Sequence, residues 1–431
     1  MSDTSCHHLW YAAKQCLCHQ DEKYRKKVEE DLQGLWLSDK NTNHVMPLLS
    51  VRTGLDLFLS AKNFPKGSEI IMSAINIPDM GKIVKSHNLV IVSLDVSIET
   101  LEPKLDILPK LITTKTVAII VAHLYGRIIN MEPIIEFAHL HRLVVIEDCA
   151  ESFCGFQNMG HPSSDVALFS FGVIKFYTSF GGCIAKIRDI EMYQSMQNIH
   201  RNYPIQTADM YLKKIVKYSF IYSWLHVGPL PKIGREVLNR FGVDYKAHFV
   251  RWMRGFPERM LEMIRWQPST ALLSTMLYRQ QGFTQSEFEI QKKKGDYILS
   301  KLPVGYEPVG NMAMTNNYWL FPVLVDEPDE LGNILNLLGV DAYRGATQLN
   351  LVEPCHEVML GLFNGSEPLD KLYPHEAKYL IDHVLYLPVN KFVPYHHLDA
   401  MLKACTVAME ISKQKDRKPL HHKLKLLKSK L

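Results

Sequence analysis

Three side chains that can do chemistry together stand where apolar runs end. The run LVVIE (143–147) is followed by Asp148, and the run VALFS (166–170) ends in Ser170. Lys175 comes five residues later, within FSFGVIKFYTSFGG (169–182), among Phe169, Phe171, Phe176, Tyr177 and Phe180 and ahead of Gly181 and Gly182. Apolar neighbours disfavour the charged form of an amine and make its nucleophilic neutral form accessible. A stem packed on the core with its ammonium in water would explain one such lysine taken alone. It explains less well a carboxylate at one strand end together with a hydroxyl and a lysine at another.

Pyridoxal 5′-phosphate demands such a set. Its aldehyde takes a lysine, its ring nitrogen a carboxylate that keeps it protonated, and its phosphate hydroxyls and helix N-terminal amides. Asp148 suits the ring nitrogen and Ser170 the phosphate. Further phosphate donors are expected from SVRTGL (50–55), a polar, glycine-containing turn that leads into LDLFLSA, an amphipathic helical pattern. A plain helix N-cap would look the same.

The elements that must hold these groups can be read from the apolar runs at 69–74, 89–94, 117–123, 143–147, 166–170 and 182–187. The first four are separated by helical patterns or capped turns, which indicates βαβ crossovers and a mainly parallel sheet covered on both faces. Ligands of such sheets sit beyond the carboxyl ends of the strands. Further on, 268–280, 286–302 and 329–339 read as helices, and 318–326 and 384–389 as strands. The expected division is a large α/β domain over 1–262, including an N-terminal extension and an aromatic, basic segment at 201–262. A smaller α+β domain follows over 263–412, and a basic tail over 413–431.

A chain of 431 residues, 47% hydrophobic and 22% charged, can bury a large core and is neither disordered nor fibrous. No uninterrupted apolar stretch is long enough to cross a membrane, and the N-terminus, MSDTSCHHLWYAAKQ, lacks the pattern of a signal peptide. A cytoplasmic location is expected, with the eight cysteines reduced. Cys6, Cys16 and Cys18 stand near His7, His8 and His19, but their spacing is not that of a zinc knuckle and no metal is expected. The net charge of +4 is carried by the tail, where eight Lys or Arg stand against one Asp, so no nucleic-acid-binding body is expected. On a helix Leu420, Leu424, Leu427 and Leu431 would share one face of that tail, a pattern compatible with peripheral contact to an anionic membrane or with a solvated end.

The ordered motifs resemble the DegT/DnrJ/StrS family of pyridoxal-phosphate-dependent sugar aminotransferases. They are KGSEIIMSA (66–74), VAHLYG (121–126), VVIEDCAES (144–152), FSFGxxK (169–175) and Gly181-Gly182, then more weakly RWQPSTALL (265–273), YRGAT (343–347) and AKYLIDHVLYLPV (377–389). The resemblance implies the fold type I architecture, a mainly parallel central sheet flanked by helices plus a smaller C-terminal α+β domain. It also implies an aminotransferase that passes an amino group, by analogy from glutamate, to a keto sugar or a similar ketone in a ping-pong exchange, and a homodimer.

By the same resemblance Lys175 is the Schiff-base lysine, Asp148 the partner of the ring nitrogen, Ser170 a phosphate ligand and Glu151 a neighbour of the phenolic oxygen. Arg52 and Thr53 fall in the phosphate turn. His123 and Tyr125 match a turn close to the cofactor, with a satisfied strand-end histidine as the other reading of His123. This chain departs from the pattern at Val51, where the family turn has glycine. It departs also at Ile75 and Ile77, where an aromatic ring is common, and at Phe176, where a polar residue commonly follows the lysine. Two competing readings are a pyridoxal-phosphate lyase and a non-catalytic, cofactor-binding regulatory or membrane-associated scaffold. In the family's sugar dehydratases the lysine is replaced by histidine, so Lys175 counts against the first. Arg344, in YRGAT, is a candidate anion binder because its fork fits a carboxylate or phosphate.

Overall fold

A computed structural model describes residues 4–18, 20–37, 44–226, 259–346, 349–355 and 372–413. Most of the tail and much of the aromatic segment, 227–258, lie outside the described residues. The chain begins with α1 (Cys6–Leu17) and α2 (Glu22–Trp36) and then alternates. In order follow β1 (His44–Leu48), α3 (Val51–Lys62), β2 (Glu69–Ser73), β3 (Ile75–Asn76), α4 (Pro78–Ser86), β4 (Val90–Leu94), β5 (Thr116–Ala122), β6 (Arg127–Ile128) and α5 (Glu132–His141). Next come β7 (Val144–Cys149), β8 (Val166–Ser170), β9 (Cys183–Ile187), α6 (Ile190–His200) and α7 (Ala208–His226). Beyond 258 stand α8 (Met260–Ile264), α9 (Thr270–Gln281), α10 (Gln285–Leu299), β10 (Glu307–Pro308), β11 (Thr315–Asn316), β12 (Phe321–Leu324) and α11 (Pro328–Leu337). The last elements are β13 (Asn350–Leu351), α12 (His375–His383), β14 (Val384–Leu387) and α13 (Tyr395–Lys413). No helix among the described residues is long and apolar enough to cross a membrane.

Seven strands form the main sheet in the order β1-β9-β8-β7-β5-β2-β4. The pairs from β8 to β4 are all parallel, and only β9 runs against its neighbours. Alternate side chains feed two cores, as a two-residue period requires. Ile71, Val92, Ile119 and Val145 face one layer, with Ile134, Ile135 and Ala138 of α5. Ile70, Met72, Ile91, Ile120 and Ile146 face the other, with Leu55, Phe58 and Leu59 of α3. The parallel sheet covered on both faces is the one expected from the apolar runs.

The smaller sheet, β10-β12-β14, is antiparallel. Its Phe321, Val323, Leu385 and Leu387 pack with Ile334 and Leu335 of α11 and with Leu398 and Cys405 of α13. Two short ladders stitch this layer to the large sheet's loops: β11 pairs with β6, and β13 with β3. Helix α9, placed by the sequence reading in the smaller domain, lies instead in the large domain's core. There Ala271, Leu272, Leu273 and Met276 pack with Trp36, Phe171, Phe180 and Tyr211. The helix is buried around most of its girth, with Ser274, Thr275, Arg279 and Gln280 buried beside its apolar residues, as a position between α1, α2 and α7 requires.

Candidate functional site

Strands β7 and β8 end side by side, with Asp148 opposite Leu168 and Cys149 opposite Phe169. Asp148 is buried, yet both carboxylate oxygens have donors: Oδ1 accepts the Ala150 N–H at 3.1 Å and Oδ2 the Asn76 amide at 3.3 Å. Burial pushes its pKa up, and the Ala150 and Asn76 bonds with the nearby charge of Lys175 only partly counter this. A carboxyl so held at a strand end is suited to bind a cationic N–H.

Lys175 leaves β8 in a tight turn, its N–H bonded to the Gly172 carbonyl at 3.0 Å. The aromatic residues around it anchor this loop. Phe171, Tyr177 and Phe180 are buried in the core, and the Tyr177 hydroxyl donates to the Arg279 carbonyl. The amine reaches across to Glu151, 3.6 Å from Oε1, and lies 4.7 Å from the centre of the Trp319 ring. Glu151 Oε2 accepts the Tyr125 N–H at 2.9 Å. Burial raises the Glu151 pKa against the opposing pull of Lys175 and of that bond, so this carboxyl holds a proton more readily than an exposed glutamate.

Ser170 stands at the end of β8, where its hydroxyl accepts the Gly172 N–H at 3.4 Å. The N-terminus of α3 is brought toward that end because Gly54 lets the helix lie against β8: a Cβ there would fall 2.6 Å from Leu168 Cδ2. Ser50 caps α3 by accepting the Thr53 N–H. The Thr53 hydroxyl, fully buried, donates to the Ile264 carbonyl at 2.8 Å and is engaged in tying α8 down. Arg52 pairs with Asp79 at 2.8 Å. Val51 packs into the core with Leu48 and Leu55, so the valine that replaces the family's glycine buries its side chain. Ile77 is the N-cap residue of α4 and packs against both cores.

His123 is buried and satisfied at both nitrogens. Its Nδ1 accepts the Ile129 N–H at 3.3 Å, which leaves Nε2 to carry the proton toward Glu147 Oε1 at 2.8 Å. Glu147, His123 and Cys149 lie close enough to hold a metal, but that tautomer spends the Nε2 position on a donated hydrogen. Arg344 is clasped rather than open: it pairs with Asp329 at 2.8 Å and donates to the carbonyls of Ile381 and Asp382. The structure therefore brings Lys175, Glu151, Asp148 and Ser170 to one sheet edge. It engages Arg52, Thr53, His123 and Arg344 in bonds of their own.

Two residues of this edge carry no signal in the sequence reading. Asn76, on β3, holds Asp148, and Trp319, between β11 and β12, faces Lys175. Each is contributed by a segment remote in sequence, and only the aromatic character of YWLF could have pointed to the second.

Residues 23–221 match the profile of the DegT/DnrJ/EryC1/StrS aminotransferase family. The chain is 30% identical over 206 residues to the GDP-perosamine synthase of Escherichia coli O157:H7, an alignment covering 42% of this chain and 56% of that protein. It is 30% identical over 159 residues to the L-glutamine:2-deoxy-scyllo-inosose aminotransferase of Streptomyces fradiae, covering 36% and 37%. The chain thus spans about half the length, or less, of these relatives. Among solved structures, the aminotransferase TlmJ from Streptoalloteichus hindustanus shares the fold with a TM-score of 0.63 at 14% identity, over 95% of this chain and 98% of that one. The E. coli GDP-4-keto-6-deoxy-D-mannose-3-dehydratase with bound hydrated PLP does so with a TM-score of 0.60 at 16% identity, over 94% and 98%. Proteins of this fold thus include both an aminotransferase and a dehydratase.

Proposed function

We propose that this chain, whose residues 23–221 fall within that aminotransferase family, is a pyridoxal-phosphate-dependent aminotransferase acting on a keto sugar or a similar cyclic ketone. The observation that carries the proposal is the placement of the Lys175 amine against Glu151, one strand from the buried Asp148. The donor set fits the cofactor in kind: an amine, a carboxylate kept from water, a hydroxyl, and the capped N-terminus of a helix held near that hydroxyl by Gly54.

When bound, pyridoxal phosphate supplies a carbon that condenses with amines and a cationic ring that withdraws electrons from the carbon being deprotonated. Lys175 Nζ would hold the cofactor and, freed from it, would move a proton to and from the Cα of an amino donor. Asp148 would keep the proton on the ring nitrogen through a charge-assisted contact inside a low-dielectric site. Glu151 in its protonated form donates a hydrogen bond beside that centre, as a family glutamine would, and steadies the freed amine when ionised. Ser170 and the α3 N-terminus bind the phosphate, with Arg52 beside them tempered by Asp79. In the ping-pong order the keto acid of the donor, glutamate in this proposal, leaves before the acceptor enters. The working unit is taken as a homodimer, which sedimentation of the purified protein checks.

The test is an absorption spectrum of protein loaded with pyridoxal phosphate, taken before and after L-glutamate. The aldehyde-derived band should give way to that of pyridoxamine phosphate and return on adding 2-oxoglutarate or the cyclic ketone 2-deoxy-scyllo-inosose. A band that persists unchanged with every amino donor would leave a cofactor-binding protein without transaminase activity.

A further inference from the structure

The indole of Trp319 is the one aromatic face that the smaller domain turns toward the Lys175 amine among the described residues, 4.7 Å from Nζ to the ring centre. It is held firmly from both ends. Its Nε1–H donates to the Ile174 carbonyl at 2.9 Å, and its backbone N–H donates to Asn317 Oδ1 at 2.8 Å. Asn317 is itself fully buried, donating from its backbone to the Gly126 carbonyl at 2.8 Å and from its amide to the Phe153 carbonyl at 3.3 Å. The ring is half-buried, so it is neither core filler nor a free surface side chain.

An acceptor must bring its carbonyl carbon within about 1.5 Å of a nitrogen at the point that Lys175 serves, as any C–N bond requires. Its remaining atoms then lie beside the indole. A π face carries negative potential at its centre, attracting cations and polarised C–H groups and repelling carboxylates. The flat C–H face of a six-membered polyhydroxy ring matches such a surface. The chain of a keto acid, extended and carrying carboxylates at its ends, does not.

We propose that Trp319 is a specificity-determining residue, the wall on which a six-membered cyclic ketone lies while its carbonyl faces Lys175. This rests on the aminotransferase reading and adds to it the shape of the acceptor: a ring with one apolar face at the reacting end.

The experiment compares the parent with Trp319→Ala and Trp319→Phe. First, kcat/KM is measured for 2-deoxy-scyllo-inosose and for 2-oxoglutarate with the pyridoxamine form. The ratio of the two should fall about tenfold in the alanine variant and return to within about twofold in the phenylalanine variant, the scale of one aromatic contact. Second, the Kd of the same ketone is measured by calorimetry on borohydride-fixed protein, which cannot turn over, and should follow the same order. Should the alanine variant not fold, Trp319→Leu, which fills space without a π face, supplies the comparison and should show the same loss. Equal losses for ketone and keto acid, no loss, or a parent that binds no cyclic ketone would overturn the inference. A parent that reacts with L-glutamate or another amino donor under any of these outcomes keeps the aminotransferase reading intact; a parent whose band no amino donor changes removes both.

Discussion

Asn76 donates to Asp148 across 72 positions of sequence, its Nδ2 lying 3.3 Å from Oδ2, and both side chains are buried. Asn76 is fixed in turn, its Oδ1 accepting the Ile77 N–H at 2.7 Å, while β3 is held by its ladder to β13. The carboxyl that must face a cationic ring is therefore oriented from two directions, by a neighbouring backbone amide and by a strand of another crossover. Burial alone would favour its neutral form; these bonds favour the anion.

That arrangement predicts that Asp148→Asn folds but transfers protons slowly. A neutral amide cannot hold the ring nitrogen's proton, and loss of one charge-assisted contact at a developing charge costs about 2–4 kcal/mol, a drop of tens- to a thousandfold in rate. Stopped-flow spectra of the L-glutamate half-reaction measure it. Asn76→Ala, which loosens the carboxylate without removing it, should lie between that variant and the parent. Parent-like kinetics in Asp148→Asn would remove Asp148 from the role.

Lys175 should be the residue that borohydride fixes to pyridoxal phosphate. Among the described lysines it alone follows a strand end of the main sheet and faces Glu151. Peptide mapping after reduction should find the label there, and Lys175→Arg should bind the cofactor without fixing it. A label on any other lysine would reject the assignment.

Much of this edge was legible because strand ends are easy to see. Apolar runs buried on both faces announce parallel strands, and Asp148 and Ser170 sit at the ends of two of them. Lys175 stood out for its aromatic neighbours, although those rings anchor the loop and the amine's own surroundings come from Glu151 and Trp319. Contacts between crossovers were not legible. Nothing in spacing joins 76 to 148 or 319 to 175, and only the folded register of β3 and of the β11–β12 connection brings them together. The partners of Arg344 are illegible in the sequence for the same reason. Its residue type suits an anion, but Asp329 and the carbonyls at the end of α12 occupy it, and neither is a neighbour in sequence.

Glu147 makes the molecule sensitive to acid. Burial would raise its pKa, but His123, the His161 N–H and the Ser164 hydroxyl pull it down to about 2 from an ordinary 4.5. Because the folded pKa lies below the unfolded one, the stabilisation is complete above pH 4.5 and is lost as pH falls toward 2. It amounts to about 3 kcal/mol from the size of that shift. Urea titrations of the parent should lose this increment over that window, while Glu147→Gln starts less stable at pH 7 and declines less. Parallel pH profiles would contradict the assignment.

The joint between the two layers should fail at Gly126. Gly126 has φ +85°, a conformation that burdens any residue with a Cβ, and Gly67 has nearly the same, φ +80°. Their surroundings differ. A Cβ at Gly67 would meet nothing within 4 Å, whereas one at Gly126 would stand 1.8 Å from Asn317 Oδ1 and 2.7 Å from the Trp319 nitrogen. Gly67→Ala therefore reports the conformational cost alone, about 1 kcal/mol. Gly126→Ala adds a collision with a buried side chain that has no other place to go, and should lose at least a further 2 kcal/mol. It should also shift tryptophan emission, since Asn317 and the Trp319 N–H must move together. Denaturation midpoints of the two variants give the comparison, and equal losses at both sites would show that the contact of Gly126 with Asn317 and Trp319 is looser than described.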